Sequence, residues 1–206
     1  MNSDLSIQFF DKQFSEQART GDCKLNPFEL ATLPHLKGRV LDYGCGMGNL
    51  AFAAAERGCD VLALDASPVA IRHIQQRAAA EALPVHGAVA DLRDYGLDED
   101  FDAVVSIGLL MFFDCPTAFR ALETLQAHVR EGGVAVVNVL VEGTTYLEMF
   151  DAKSYCLFSR AEMESRFSRW SILHSEFSDF EAPGATKKAF ATLIARKPGP
   201  LRGAVV

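Results

Sequence analysis

Short apolar runs rich in Val, Leu and Ile alternate with helical patterns from Arg39 to Leu140. This alternation is typical of a parallel sheet with helices on both faces, because parallel neighbours are joined by helical crossovers. The predicted strands are Arg39–Tyr43, Asp60–Asp65, Val85–Ala90, Phe101–Ile107 and Val134–Leu140. The predicted helices between them are Asn49–Arg57, Ser67–Ala82 and Pro116–Arg130. The sequence therefore predicts a doubly wound α/β fold.

The pattern changes after Leu140. A loop and a helix are predicted next, with Ser159 and Glu162 spaced as a capping box. Two strand-like runs then flank a Pro-Gly turn, at Ser171–Phe177 and Ala189–Arg196. They predict an antiparallel pair that closes the sheet.

Composition limits the classes of function open to this chain. Its 206 residues, 49% hydrophobic and 23% charged, fit one domain with a sizeable core. A formal net charge of -7 and the lack of a cationic run argue against nucleic-acid and anionic-membrane partners. Neither a signal-peptide pattern nor a run long enough to span a bilayer is found. We therefore expect a cytoplasmic protein that acts on a small molecule, with its oligomeric state open.

The cysteine pattern indicates neither a disulfide framework nor a metal site. The number of cysteines is odd, and no two of them form a CxxC pair. The sequence therefore predicts reduced thiols and no bound metal. The cysteines concerned are Cys23, Cys45, Cys59, Cys115 and Cys156.

A glycine-rich turn, LDYGCGMGNLA from Leu41 to Ala51, joins the first predicted strand to the first predicted helix. Its glycines let backbone N–H groups approach a ligand that a side chain would block. Asp42 lies at the start of the turn, where a carboxylate repels a phosphate. The turn reads GxGxG, with Asn49 at the place of the third glycine of the dinucleotide-binding pattern GxGxxG. A ligand with positive charge is therefore favoured.

Three acids are predicted to meet at one edge of the sheet. Asp42, Asp65 and Asp91 follow the first three strands, and Ser106 lies near the end of the fourth. Ligands of open parallel sheets bind at this carboxyl edge. S-adenosylmethionine (SAM) offers a cationic methionyl end to Asp42, two ribose hydroxyls to Asp65 and an adenine amino group to Asp91. The acids therefore favour SAM as cofactor, with S-adenosylhomocysteine (SAH) as its product.

These motifs resemble those of the class I SAM-dependent methyltransferases. VLDYGCGMG is similar to the glycine motif of that family, LALD and VAD to its second- and third-strand acids, and FDAVVSIGLLMF to its fourth strand. The resemblance implies a Rossmann-like, seven-stranded sheet in the order 3214576 with the last strand antiparallel. The predicted cofactor-binding residues are Asp42, Gly44, Cys45, Gly46, Gly48, Asp65, Ala66, Asp91, Leu92 and Ser106.

Within that family the chain resembles the tellurite-resistance branch, whose members methylate small chalcogen or thiol acceptors. FFDKQFSEQ, LLMFF, LFSRAEMESRFSRW and FATLIARK carry this likeness. The branch has a His-Arg pair near its last hairpin, whereas this chain has DFEAPGATKK, with Lys187 and Lys188 as the nearby cations. Whether tellurite or selenium compounds are acceptors therefore stays open.

An apolar acceptor pocket is predicted, and no catalytic side chain is assigned, because a soft anionic acceptor needs no strong base. The pocket residues are Phe10, Phe14, Met111, Phe112 and Tyr146, joined by Phe9, Phe150 and Tyr155. Each of these has an alternative interpretation as core packing. Two other functions stay open: a SAM-binding sensor or scaffold without turnover, and a nicotinamide-dependent reductase.

The predicted organisation is one methyltransferase domain over residues 1–197. A helical lid is expected within about residues 1–34, including the loop from Thr20 to Pro27, because FFDKQFSEQ is amphipathic yet lies outside the alternating pattern. Permanent packing of this helix on the sheet edge is the alternative. Residues 198–206 are expected to fray.

Overall fold

The computed structural model describes residues 5–20, 24–152 and 154–199, apart from the side chains of residues 5–9, 18 and 20. The helices are α1 (Leu5–Thr20), α2 (Pro27–Thr32), α3 (Asn49–Ala55), α4 (Pro68–Glu81), α5 (Cys115–Ala127) and α6 (Arg160–Arg166). The strands are β1 (Arg39–Tyr43), β2 (Asp60–Asp65), β3 (Val85–Val89), β4 (Phe101–Ile107), β5 (Val129–Leu140), β6 (Ser171–Ala182) and β7 (Thr186–Arg196). None of the helices in these described ranges is long and apolar enough to cross a lipid bilayer.

All seven strands form one sheet in the order β3-β2-β1-β4-β5-β7-β6. Strands β1 to β5 pair in parallel, and β7 runs antiparallel to both β5 and β6. The predicted fold class and strand order are confirmed. Of the elements, β1, β2 and β4 have the predicted bounds, and β6 and β7 extend to the hairpin turn at Pro183–Ala185.

The two faces of the sheet bury separate cores because successive side chains on a strand point to opposite sides. Leu41, Val104 and Val137 pack with helices α5 and α6 on one face. Val40 and Val105 pack with α3 and α4 on the other. Asp42 shares the parity of Val40, so its side chain belongs to the α3 and α4 face.

Local signals fix two helix starts. Ser67 caps α4, with its Oγ accepting from the Ala70 N–H at 3.1 Å ahead of Pro68 at the first helical position. Ser159 caps α6 by accepting from the Glu162 N–H at 3.1 Å. The Glu162 carboxylate accepts from Arg166 at 3.1 Å.

The boundary between α5 and β5 differs from the prediction. Helix α5 ends at Ala127, and β5 begins at Val129, where a helix was expected to Arg130. The ladder to β4 shifts register here, since Phe101 pairs with Val129 and Ala103 pairs with Val134. The β5 residues between Val129 and Val134 therefore lie outside the regular pairing with β4. Apolar periodicity in the sequence does not reveal such an irregularity.

The prediction that all cysteines are reduced is wrong, because Cys115 and Cys156 form a disulfide. The segment after β5 brings Cys156 to Cys115 at the start of α5, and the two Cα atoms lie 4.7 Å apart. The Cys156 N–H also donates to the Met111 carbonyl at 3.0 Å. Cys45 and Cys59 are free thiols, and Cys23 lies outside the described residues. A pairing across 41 positions follows from the fold and leaves no trace in cysteine spacing.

We expect reduction of this disulfide to lower the free energy of unfolding by about 2–4 kcal/mol, because the bond restricts the unfolded chain across a closed loop. Urea unfolding with and without a phosphine reductant measures the change. The double variant Cys115→Ser/Cys156→Ser is the control, and its unfolding curve should not respond to the reductant. Equal stability of the oxidised and reduced wild-type protein would contradict the expectation.

Candidate active site

A cavity of about 710 Å³ opens at the carboxyl edge of the sheet. It collects most of the residues predicted for the cofactor and acceptor sites, although their individual roles stay predictions. Those that line it are Phe10, Phe14, Asp42, Gly44, Cys45, Gly46, Asp65, Ala66, Asp91, Leu92, Met111, Phe112 and Tyr146. The cavity therefore joins the ends of strands that are far apart in the sequence.

The turn after β1 approaches its neighbours closely at two glycines. A Cβ atom at Gly44 would lie 2.9 Å from the Leu109 side chain, and its φ of +86° is left-handed. Gly46 has a φ of +50°, and a Cβ atom there would lie 3.3 Å from the Phe14 ring of α1. Both positions therefore require glycine. Helix α1 packs directly over the turn at Gly46.

Asp65, at the end of β2, holds the glycine turn against the start of α4. One carboxylate oxygen accepts from the Gly46 N–H at 2.8 Å, and the other accepts from the Ser67 N–H at 2.9 Å. Burial raises the pKa of Asp65, while these N–H groups oppose the rise. The Ser67 hydroxyl in turn donates to the Asp11 carboxylate of α1. This network links α1 to the end of β2.

Asp42 is almost fully buried, with 5% of its surface exposed. Burial, assisted by the charges of Glu29 and Asp65, raises the pKa of Asp42 from 3.8 to about 8. Burial also raises the pKa of Glu29. The hydrogen bond that the Asn26 N–H donates to the Glu29 carboxylate at 2.7 Å lowers it in part. Three acids thus make this part of the cavity suited to a cation.

We expect the variant Asp42→Asn to be more stable than the wild type at neutral pH. Between pH 3.8 and about 8 the unfolded chain releases the Asp42 proton while the folded protein keeps it, so stability falls as the pH rises. The loss should reach on the order of a few kcal/mol. Urea unfolding from pH 5 to pH 9 should show a gap between variant and wild type that widens up to about pH 8.

Curves for Asp42→Asn and wild type that stay parallel across this range would contradict the expectation. Asp60→Asn is the matched control, because Asp60 lies on β2 at the opposite edge of the sheet and has an exposed side chain.

Asp91 follows β3 and is already paired with a neighbouring cation. The Arg93 guanidinium donates to both carboxylate oxygens of Asp91, at 2.8 and 2.7 Å, and lowers the pKa of that acid. The next residue, Leu92, is fixed by the Tyr43 hydroxyl, which donates to the Leu92 carbonyl at 2.7 Å. An adenine amino group would therefore share Asp91 with Arg93.

Two predicted cofactor residues do not line the cavity. Gly48 caps α3, and a Cβ atom there would lie 2.9 Å from Ile74 of α4, so it serves helix packing. Ser106 is fully buried on β4, with side-chain parity opposite to Asp42, while Ile107 and Gly108 line the cavity. Strand alternation separates Ser106 from the site.

Cys45 lines the cavity beside two acids. Burial and the charges of Asp42 and Asp65 raise the pKa of the Cys45 thiol well above its usual value. The thiolate is the nucleophilic form of cysteine, so the protonated Cys45 is unsuited to attack at neutral pH.

Aromatic rings form the predicted acceptor pocket in part. The Phe10 and Phe112 rings meet edge to face at 5.2 Å, and Phe10 stacks with Phe14 at 5.7 Å. Phe150 contacts Phe112 at 5.0 Å and stacks with Tyr155 at 4.9 Å, which places these two behind the cavity wall. The Phe9 side chain lies outside the described residues.

Glu29, Asn138 and Lys188 are among the polar residues that line the cavity without having been assigned to it from the sequence. Two carry signals that could have located them. Glu29 completes a capping box with Asn26 at the start of α2. Asn138 is the polar residue in the apolar run of β5, near the carboxyl edge. Lys187, the second cation of the hairpin, instead pairs with Asp179 at 2.7 Å.

Comparison with known proteins agrees with this geometry. The methyltransferase domain family matches residues 40–133. Hemagglutinin 1 of Eikenella corrodens is 28% identical over 167 residues, or 78% of this chain and 55% of that protein. The probable S-adenosyl-L-methionine-dependent methyltransferase TehB of Haemophilus influenzae is 25% identical over 166 residues, or 77% of this chain and 57% of that protein.

The crystal structure of TehB from Haemophilus influenzae has the same fold, with a TM-score of 0.76 at 20% identity. The aligned part covers 88% of this chain and 65% of that chain. The present chain thus spans between about half and two thirds of the lengths of these relatives. The domain match, the sheet order and the glycine motif support a class I SAM-dependent methyltransferase that resembles TehB.

Proposed function

We propose that this protein transfers the methyl group of SAM to a small-molecule acceptor. The observation that carries the proposal is the placement of Asp42 and Asp65 on either side of the glycine turn, within one cavity. Asp65 attracts a sulfonium or an ammonium, and a cation beside Asp42 favours the ionised form of that acid as well, whereas the pyrophosphate of a dinucleotide is repelled. This charge pattern supports SAM over a nicotinamide cofactor.

The residues present fit the cofactor. Each Asp65 oxygen accepts one backbone hydrogen bond and retains a lone pair for a ribose hydroxyl. Asp42 lies nearest to the glycine turn in the chain and serves the cationic methionyl end. The bound cofactor supplies the activated methyl group. The protein aligns the acceptor with that group and excludes water.

The acceptor class is a finer proposal. The likeness to TehB and the apolar, methionine-containing wall of Met47, Met111 and Met149 support a soft acceptor such as a chalcogen or thiol compound. Lys188 is the hairpin cation that lines the cavity, in place of the His-Arg pair that the branch carries. This replacement disfavours an oxyanion.

The decisive experiment measures SAH release with thiols, selenite, tellurite, small amines and carboxylates. Turnover with any of them supports the enzyme, and no turnover despite tight SAM binding would favour a sensor or scaffold. Calorimetric titration with SAM and with NADH separates the methyltransferase from a reductase, since we expect binding of SAM alone.

A further inference from the structure

The cavity divides along the sheet into two parts. The cofactor half lies over β3, β2 and β1 and contains Asp91, Asp65 and Asp42. The acceptor half lies over β4, β5 and β7 and contains Ile107, Asn138, Lys188 and Phe190, and Glu29 of α2 lines the same cavity. Helix α2 is held over β7, because the Phe28 ring contacts Phe190 at 4.9 Å. The polar groups of the acceptor half therefore indicate the chemical class of the methyl acceptor.

Asn138 presents a hydrogen-bond acceptor that the described residues leave unmatched. Its side chain is 1% exposed, and its Nδ2 donates to Thr192 Oγ1 at 2.9 Å. Its Oδ1 has no hydrogen-bond partner within the described part of the chain. A buried oxygen without a donor is costly, so such groups in native proteins usually have a partner. A ligand with an N–H group supplies one here.

Glu29 adds a negative charge to the same region. One of its carboxylate oxygens accepts from the Asn26 N–H at 2.7 Å, and Glu29 lies close enough to Asp42 to raise the pKa of that acid. An anionic acceptor would therefore be repelled by the Glu29 carboxylate. A basic nitrogen is attracted to it.

The remaining wall is apolar and aromatic. Phe28, Phe190 and Tyr146 supply rings, and Ile107 and Met149 supply aliphatic and thioether surface. Lys188 Nζ lies 4.8 Å from the centre of the Tyr146 ring, so its charge is directed to that ring face. An acceptor with an apolar body fits this surface.

We infer, resting on the proposed methyl transfer and in place of the thiol or chalcogen acceptor that the likeness to TehB supports, that the acceptor is a small amine with an apolar body, whose nitrogen is bound by Glu29 and Asn138. The N–H group donates to Asn138 Oδ1 and the ammonium proton passes to Glu29, which frees the nitrogen lone pair. The lone pair forms the N–C bond to the methyl carbon while the C–S bond breaks and its electrons stay on sulfur. The products are SAH and the N-methylated ammonium ion, and Glu29 then releases to solvent the proton that it accepted. No oxidant or metal is consumed.

Three compounds that share a phenyl ring and differ in their head group test the inference: 2-phenylethylamine, 2-phenylethanethiol and phenylacetate. We expect SAH release with the amine, and calorimetric binding of the amine to the SAH-loaded protein. Glu29→Gln keeps the capping box, which accepts Glu or Gln, but removes the charge. It should raise KM and Kd for the amine about 10- to 100-fold. Glu148→Gln, an exposed neighbour of Met149, is the control and should match wild type.

The variant Lys188→Met tests whether the acceptor is a cation or an anion. Loss of this cation should lower KM for the amine severalfold, whereas an anionic acceptor would bind less well. Asn138→Leu should weaken amine binding while calorimetry shows unchanged SAM affinity. Turnover of the thiol or the carboxylate in place of the amine, or an amine KM insensitive to Glu29→Gln, would overturn the inference and leave the methyltransferase proposal standing. No turnover of any acceptor would overturn both.

Discussion

Asp65→Ala should lose at least about 100-fold in affinity for SAM, because each hydrogen bond to a charged group contributes about 1.5–3 kcal/mol and the two ribose hydroxyls offer two. The carboxylate also accepts from the Gly46 and Ser67 N–H groups. Its removal therefore loosens the glycine turn as well as the ribose contact. Isothermal titration with SAM measures the effect directly.

Asp65→Asn isolates the role of charge in this result, because the amide keeps an acceptor oxygen in nearly the same volume. Its affinity should lie between those of the wild type and the alanine variant. Asp60→Ala is the matched control at the other end of β2, where Asp60 pairs with Arg39 at the surface. Wild-type affinity in a folded Asp65→Ala protein would remove Asp65 from the site.

The sheet, and the grouping of Asp42 and Asp65 at its carboxyl edge, could be predicted from the sequence for a physical reason. Parallel strands are buried on both faces and appear as apolar runs, and their carboxyl ends lie along one edge. An acid that follows such a run is therefore placed by the fold itself, as at Asp42 and Asp65. Ser106 shows the limit of this reasoning. One step of strand alternation puts its side chain on the opposite face.

The acceptor half was harder to predict, because its residues come from elements that meet only in three dimensions. Neither Glu29 nor Asn138 was assigned to the site from the sequence. Glu29 belongs to the cavity wall because α2 packs over β7 through Phe28 and Phe190. The disulfide between Cys115 and Cys156 was missed for the same reason. Spacing along the chain carries information about local structure, but not about which loops meet.

Helix α1 has the contacts that we expect of a lid over the cavity. Phe10 meets Phe112 edge to face at 5.2 Å, and the Phe14 ring lies against the turn at Gly46. Asp11 accepts from the Ser67 hydroxyl beside Asp65. The helix thus touches both halves of the cavity. Residues 21–23 of the expected lid loop, and residues 200–206 of the expected frayed tail, lie outside the described residues.

Removing the apolar face of α1 with Phe10→Ala/Phe14→Ala should lower turnover about 100-fold, the scale expected when reacting groups are misplaced and water enters. SAM affinity should change much less, because Asp42 and Asp65 lie on β1 and β2. Deletion of residues 1–25 should give the same separation of binding from turnover. SAH release and calorimetry together measure both quantities.

Glu16→Ala is the control on the same helix, because Glu16 pairs with Arg19 on the exposed face. A lid protects the transfer site from water, whereas a permanently packed helix stabilises the folded protein. Permanent packing of α1 would lower the melting temperature of the truncated protein without a selective loss of turnover. Full activity without residues 1–25 would exclude the lid, since water would then reach a transfer site that still works.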